Sequence, residues 1–221
     1  MFEGKYSRAL TIGLIALIVL VIGIITFFTV SYIRNSNERA QALEAADEFE
    51  GTVNRVKTKT NTEDGDLISI NVQAENLTMS DSNSDSSTPM YKGFPMAGTI
   101  SIPKIDLNIP VLADASKKAI DVSVAVNGGP GLNKVGNTII IGHNYRDGRF
   151  FANIKNLSNG DKIYITDNSG NKVEYNVYNI YTTTPEDSDF MDRETEGRRE
   201  ITLDTCTDDT QSRLIIWASA D

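Results

Sequence analysis

The sequence predicts a mainly β domain, either a closed barrel or a sandwich, carried behind one membrane-spanning helix. Three observations predict it. Residues 9–30 contain no ionisable side chain, residues 80–88 are all Ser, Asp, Asn or Thr, and residues 91–221 break into short β-rich runs separated by turn residues. The 221 residues suffice for one domain of ordinary size with additions.

The first run, ALTIGLIALIVLVIGIITFFTV, makes a helix about 33 Å long, against roughly 30 Å of bilayer hydrocarbon. A cleaved secretion signal has a shorter apolar core and a small-residue cleavage site. Here Ser-Tyr-Ile-Arg comes next instead, so residues 9–30 read as a transmembrane anchor held in the lipid bilayer, with 1–8 as its N-terminal flank. Lys5 and Arg8 precede the span and Arg34 and Arg39 come after it, so the basic count alone does not orient it.

Residues 31–90 read as a stalk or linker. Ala42, Ala45, Ala46 and Phe49 are at helical spacing, which predicts a short helix over 37–56, and LISINV at 67–72 reads as a strand. The polar run 80–88 cannot bury a core and makes a spacer ending near Pro89.

In the domain at 91–221, strands are predicted at 98–102 and 107–112, on either side of Pro103. NTIIIG at 137–142 is a continuous apolar run, hence a central strand, and 162–166 alternates. From 173 the apolar phase runs through Val177 and then shifts to Tyr178 and Ile180, which predicts a bulge in a long curved strand. Residues 201–206 and 213–218 complete the set, and Trp217 is expected in the core. Phe150, Phe151, Ile154 and Leu157 share one helical face, stopped by Asn159-Gly160, and Ser116 caps a second short helix through Ile120.

Thirty acidic against 21 basic residues give a formal charge of −9, which argues against a nucleic-acid partner. One cysteine excludes an internal disulfide framework and a Cys-rich zinc site, and one histidine argues against a multi-His metal centre. No cofactor and no metal ligand set are expected. What remains is a single thiol and a single imidazole.

Cys206 ends the apolar run ITLDTC before a polar turn, His143 directly follows NTIIIG, and Arg213 opens the final strand. Singly, each has a bland reading: a small buried hydrophobe, a structural histidine, a surface arginine. Together they make an acyl-transfer machine. The thiolate is the nucleophile, the imidazole moves a proton to a leaving amine, and the guanidinium steadies an oxyanion. No acidic residue is evidently placed to orient His143, so a Cys-His-Asp triad is not expected.

The segment TLDTC (202–206), followed by Arg213 in RLIIWA, resembles the active-site strands of sortases, the cell-wall transpeptidases of Gram-positive bacteria. NTIIIGHNYRDGRFFANIKNLSNGDKIYI is similar to their histidine strand, its adjoining helix and the next strand, and GTISIPKIDLNIPVL to their first two strands. The resemblance covers about 98–218. It implies a mainly β fold: a closed eight-stranded barrel with two or three short helices, preceded by one transmembrane helix. It implies catalysis by Cys206 as nucleophile, His143 as general acid/base and Arg213 as oxyanion or substrate stabiliser, with Thr205 and Asn144 as substrate-binding neighbours. The partners implied are secreted proteins with a C-terminal sorting signal, cleaved through a thioester. The acceptor implied is the amine of a peptidoglycan precursor or a pilin lysine. It also implies a single-pass protein of the cell membrane, with a cytoplasmic N-terminus and an extracellular catalytic domain.

Within the family, GHN followed by FFANIKNL is most like class B, while the short stretch 182–199 is closer to class D. The pilus-building class is set aside because no inhibitory lid segment is evident. Some sortases bind calcium through loop carboxylates, but Asp187, Asp189, Asp192, Glu194 and Glu196 read as solvated acids. Two alternatives compete with the transpeptidase. A papain-like peptidase or peptidoglycan hydrolase places Cys before His, the reverse of the order here. A non-catalytic anchored binding module or pilus part with a sortase-like barrel would tolerate loss of Cys206, His143 or Arg213, and a sorted substrate is expected to carry a second apolar tail, whereas this sequence runs to WASAD.

Overall fold

The computed structural model describes residues 3–60 and 88–220. The chain divides into two compact units, Met1–Gln41 and Ala42–Asp221, each taken by itself. The strand expected at 67–72 and most of the polar spacer lie outside the described residues.

Helix α1 (Glu3–Thr60) starts in the first unit. There its apolar side chains face outward: Ile12, Phe27, Phe28 and Val30 are each more than 60% exposed. The Thr26 and Thr29 hydroxyls donate back to carbonyls one turn earlier, at Ile22, Gly23 and Ile25, so they present no unpaired donor. Among the described residues α1 is the one helix long and apolar enough to cross a membrane, with a mean hydropathy of 2.9 over its apolar stretch.

The second unit begins with the rest of α1. The helix expected over 37–56 is part of this longer one, and its Ala42, Ala46, Phe49 and Val53 are all buried. Their spacing of four, three and four residues is a helical stripe packed against the barrel strands. Polar contacts flank the stripe. Glu50 Oε1 accepts from the hydroxyls of Thr99 (3.2 Å) and Thr166 (3.0 Å), and Glu50 Oε2 pairs with Lys172 at 3.3 Å. Gly170 lies under the helix with φ +73°, and a Cβ there would fall 2.5 Å from Val53 Cγ1. Only glycine fits.

The strands are β1 (Met90–Tyr91), β2 (Phe94–Ile102), β3 (Leu107–Leu112), β4 (Val124–Gly128), β5 (Gly136–Ile141), β6 (Lys162–Asp167), β7 (Lys172–Thr183), β8 (Arg199–Cys206) and β9 (Arg213–Ala220). They hydrogen-bond in the order β1-β2-β3-β4-β5-β8-β9-β7-β6, and β6 pairs back onto β2. Eight strands therefore close into a barrel, with β1 a two-residue addition to β2. Closure removes the sheet edges that would otherwise need protection. The β3–β4 and β5–β8 pairs are parallel and the others antiparallel.

The main core gathers Ile100, Ile140, Ile163, Ile165, Leu203 and Ile216. A second, smaller core holds Ile139, Ile215 and Phe190, with Met191 and Trp217 packed against it. Residues adjacent on β5 and on β9 thus fall in different cores, because the β7–β8 connection (184–198) lays Phe190 over the opposite face of those strands. That cover is why NTIIIG is apolar without interruption. Trp217 is only half-buried in this second core, with the Arg193 guanidinium stacked 3.9 Å from its ring centroid.

The predicted bulge is present: the β7–β9 register shifts between Val177 and Asn179. The Ser116 cap is present too, its hydroxyl accepting from Ala119 N ahead of helix α2 (Lys117–Ile120). The helix expected over 150–157 is not. Phe150 takes a left-handed φ of 53° and bridges Asn144, and only a 3-10 turn forms at Ile154–Asn156. Phe150, Phe151, Ile154 and Leu157 are nevertheless buried, so the apolar face is real and the backbone different. Strand β4 has no counterpart among the predicted strands. It is short, and its parallel pairing with β3 depends on the crossover through α2.

Candidate active site

Topology brings the sole thiol and the sole imidazole together. Strands β5 and β8 are parallel neighbours in register, Ile141 opposite Asp204, so both point their C-terminal ends the same way. Cys206 is the last residue of β8, and His143 lies two residues past β5. Antiparallel β9 starts at Arg213, directly opposite Cys206. A thiol, an imidazole and a guanidinium from three adjacent strands thus meet at one barrel end, and Cys206 is exposed there.

The residues on either side of His143 are tied to β8. Gly142 N donates to Asp204 O at 3.1 Å, and Thr205 Oγ1 donates to Gly142 O at 2.7 Å. Asn144 Nδ2 donates to Cys206 O at 2.9 Å and to Asp208 Oδ1 at 3.0 Å. A Cβ at Gly142 would fall 2.6 Å from Val124 and 2.9 Å from Phe151, so this close approach requires glycine. Thr205 is 2% exposed and its hydroxyl is already committed, which makes it a tie between strands rather than a surface facing a ligand.

Three carboxylates not expected from the sequence complete the site. Asp121, just after α2, has Oδ1 3.2 Å from His143 Nε2 and 3.5 Å from the Tyr145 hydroxyl. The acidic partner for His143, which the sequence does not reveal, is therefore Asp121. No local signal exposes it, because 22 residues separate the pair. Burial, followed by the Asp121 charge, pushes the Tyr145 phenol above its ordinary range. Asp208 pairs with Lys155 Nζ at 2.7 Å, and that contact, with the Asn144 bond, holds its carboxyl below the usual range. Asp204 accepts from Arg213 Nε at 2.8 Å and Nη2 at 2.5 Å. This bidentate geometry belongs to an ionised pair. It pushes the guanidinium pKa up, while burial pushes the Asp204 carboxyl up against it. Asp204 is legible in one respect: it lies two residues before Cys206, hence on the same strand face.

The loops after β5 and β8 form an open cleft of about 410 Å³, lined in part by Asn144, Tyr145, Arg146, Lys155, Asp208 and Thr210. Among the described residues no three His, Cys, Asp or Glu side chains converge as a metal site. In the acidic connection, Asp187 bonds Thr183 Oγ1 and Asp189 N, and Glu194 Oε1 accepts from Glu196 N.

A profile of the Sortase domain family matches residues 100–221, more than half of the chain. The chain belongs to the sortase family. Sortase A of Bacillus anthracis is 35% identical over 122 residues, covering 54% of this chain and 57% of the relative. The chain thus matches little more than half the length of that curated relative. Among solved structures, the pilus-related Sortase C of Group B Streptococcus is 29% identical with a TM-score of 0.52, covering 57% of this chain and 67% of that one. Sortase C-1 of Actinomyces oris is 25% identical with a TM-score of 0.51, covering 56% and 73%. The matched residues 100–221 include Cys206, His143 and Arg213. The relatives bear class A and class C names, including the pilus class set aside on sequence. Neither matches the class B or class D leaning, and the assignment stands at the family.

Proposed function

We propose that this sortase is a membrane-anchored cysteine transpeptidase that cleaves a C-terminal sorting motif of secreted proteins and passes the acyl group to a cell-wall or pilin amine. The observation that carries the reading is the convergence of the chain's only thiol and only imidazole with Arg213 at one barrel end. The exposed Cys206 and the family membership support it. The pilus-related name of one solved relative supports a pilin amine as one class of acceptor. The exposed apolar face of α1 supports a single-pass anchor, and the family resemblance supports a cytoplasmic N-terminus and an extracellular barrel.

In the first half-reaction the Cys206 thiolate attacks the scissile carbonyl carbon. The oxyanion accepts hydrogen bonds from Arg213, and protonated His143 gives its proton to the departing amine as the C–N bond breaks. This leaves an acyl thioester and neutral imidazole. In the second half-reaction an acceptor amine attacks the thioester. His143 takes the amine's proton, the C–S bond breaks, and the thiolate returns with a new amide formed. One amide is exchanged for another, and electrons balance without a redox step. Asn144 and Thr205 serve as positioning residues that hold the His143 backbone against β8.

The test uses the full chain in detergent, with and without Cys206→Ala. Each is incubated with a panel of sorting-motif peptides plus hydroxylamine or short glycine amines, and products are read by mass spectrometry. Cleavage after one residue with amine capture, absent in the alanine variant, is the expected result. Cleavage that survives Cys206→Ala overturns the reading, as does a thiol inert to both peptides and small alkylating reagents.

A further inference from the structure

We infer that Asp204 is a positioning residue that aims the Arg213 guanidinium at the Cys206 reaction centre. The inference rests on the transpeptidase reading above and adds to it the residue that sets the direction of the arginine.

The geometry starts with the strand. Side chains alternate across a strand, so Asp204 and Cys206 share one face of β8. Arg213 is opposite Cys206 in the register, and Asp204 is opposite Ile215, which makes Asp204 and Arg213 a diagonal cross-strand pair. The side chain of Asp204 is 1% exposed and that of Arg213 24%. Both carboxylate oxygens are engaged, one by Nε and one by Nη2. Two parallel bonds to a planar fork fix its plane as well as its position. Nη1 is left without a partner among the described residues, as the donor that remains for an oxyanion. Cys206, directly opposite in the register, is among the groups that push the Arg213 guanidinium pKa up, after Asp204.

Stability alone does not account for this pair. Replacing a buried ion pair by apolar side chains of similar volume is often neutral or stabilising. A carboxylate this close to a thiolate is also unfavourable by charge, unless Arg213 neutralises it. The pair together carries no net charge, so the contribution of Arg213 to the oxyanion is a directed N–H rather than a diffuse field. Direction is what Asp204 supplies. A second arrangement of the same atoms, in which Asp204 withholds the fork from substrate, predicts the opposite kinetics.

The test is a double-mutant cycle in the full chain in detergent: wild type, Asp204→Ala, Arg213→Ala and the double variant. Turnover of the peptide cleaved in the assay above is measured with hydroxylamine as acceptor, and folding is followed by circular dichroism. Asp204→Ala is expected to lower kcat roughly tenfold to a hundredfold, with KM within about twofold, because a misaimed donor loses transition-state contacts. In the Arg213→Ala background the same change is expected to cost nothing further, since there is no guanidinium left to aim. Asp204→Asn, which keeps one acceptor, recovers part of the loss. The double variant melts above Arg213→Ala, which leaves Asp204 buried and unpaired. If Arg213→Ala fails to fold, Arg213→Lys replaces it in the cycle. Unchanged or increased kcat in Asp204→Ala overturns the inference, and so does an equal loss in both backgrounds. These outcomes are separate from failure of the transpeptidase reading, which shows as turnover that survives Cys206→Ala.

Discussion

Strand β8 buries a carboxylate near each end, and the two are partnered differently. Near its start, Glu200 is fully enclosed: Tyr178 donates to it at 2.6 Å, and Arg193 and Arg198 lie 2.8 and 3.0 Å away. Arg193 in turn donates to Asn137 and stacks on the face of Trp217. Near the thiol end, Asp204 holds one arginine, and that arginine keeps an unpartnered edge beside Cys206. The first cluster draws two arginines onto one buried carboxylate and pins the 184–198 connection to the barrel, with Arg193 Nε left buried and without a hydrogen-bond partner. The second has its spare guanidinium donor beside an exposed thiol instead of inside a core. The same chemistry, a buried carboxylate with guanidinium, holds structure where it faces a core and, in the proposed mechanism, serves reactivity where it lies beside the exposed thiol.

The sharpest break between the two ends is expected from Cys206→Ala. Its side chain is exposed, so the variant should melt like wild type while turnover falls roughly a thousandfold or more. Mass spectrometry of the thioester, together with a thermal melt, reads both. Next comes Arg213→Lys, which keeps the charge but loses the planar fork. Turnover at saturating peptide should drop roughly tenfold to a hundredfold. Near wild-type turnover there removes the reason for treating the thiol-end pair as special.

At the Glu200 end the losses should reverse. Glu200→Ala leaves Arg193, whose side chain is only 13% exposed, without its counter-charge. Breaking such a pair costs about 3–5 kcal/mol, to be read by urea unfolding, while turnover per folded molecule is retained. A folded Glu200→Ala protein that has lost turnover erases the contrast between the ends. Phe49→Ala provides an apolar comparison. It removes a ring that is 3% exposed where α1 meets the barrel, at a cost of about 3 kcal/mol with little effect on turnover.

The division between what is legible in the sequence and what is not tracks sequence distance. The strand runs between 98 and 218, the bulge after Val177, the Ser116 cap and the positions of Cys206, His143 and Arg213 at or just past strand ends are local patterns, and each is in place. The register Cys206 opposite Arg213 results from two strands joined by a short turn. Asp121 beside His143, Glu50 beneath Thr99 and Thr166, and β4 against β3 are products of tertiary packing, for which no residue spacing gives notice. The 150–157 segment shows a different failure. Its apolar spacing fits a helix, but Phe150 is recruited into a bridge with Asn144, and tertiary contact overrides the period.

The smallest expected effect belongs to Asp121, and it separates orientation from charge at the thiol end. Its carboxylate faces His143 Nε2 from outside the barrel strands, with both side chains substantially exposed. In that setting a pair contributes modestly, about 1 kcal/mol or less. If Asp121 only orients the ring, Asn can still accept from Nε2, so Asp121→Asn should lower kcat by about twofold and Asp121→Ala by about fivefold, with KM unchanged in both. If its charge matters, the two variants should fall together, and added salt should weaken the wild-type advantage over both. His143 is the only histidine in the chain, so one imidazole resonance in a nitrogen-edited NMR spectrum reports directly whether the ring has lost its Nε2 partner. An unchanged resonance and unchanged kcat in Asp121→Ala would leave His143 held by its backbone ties alone, through Gly142 and Asn144.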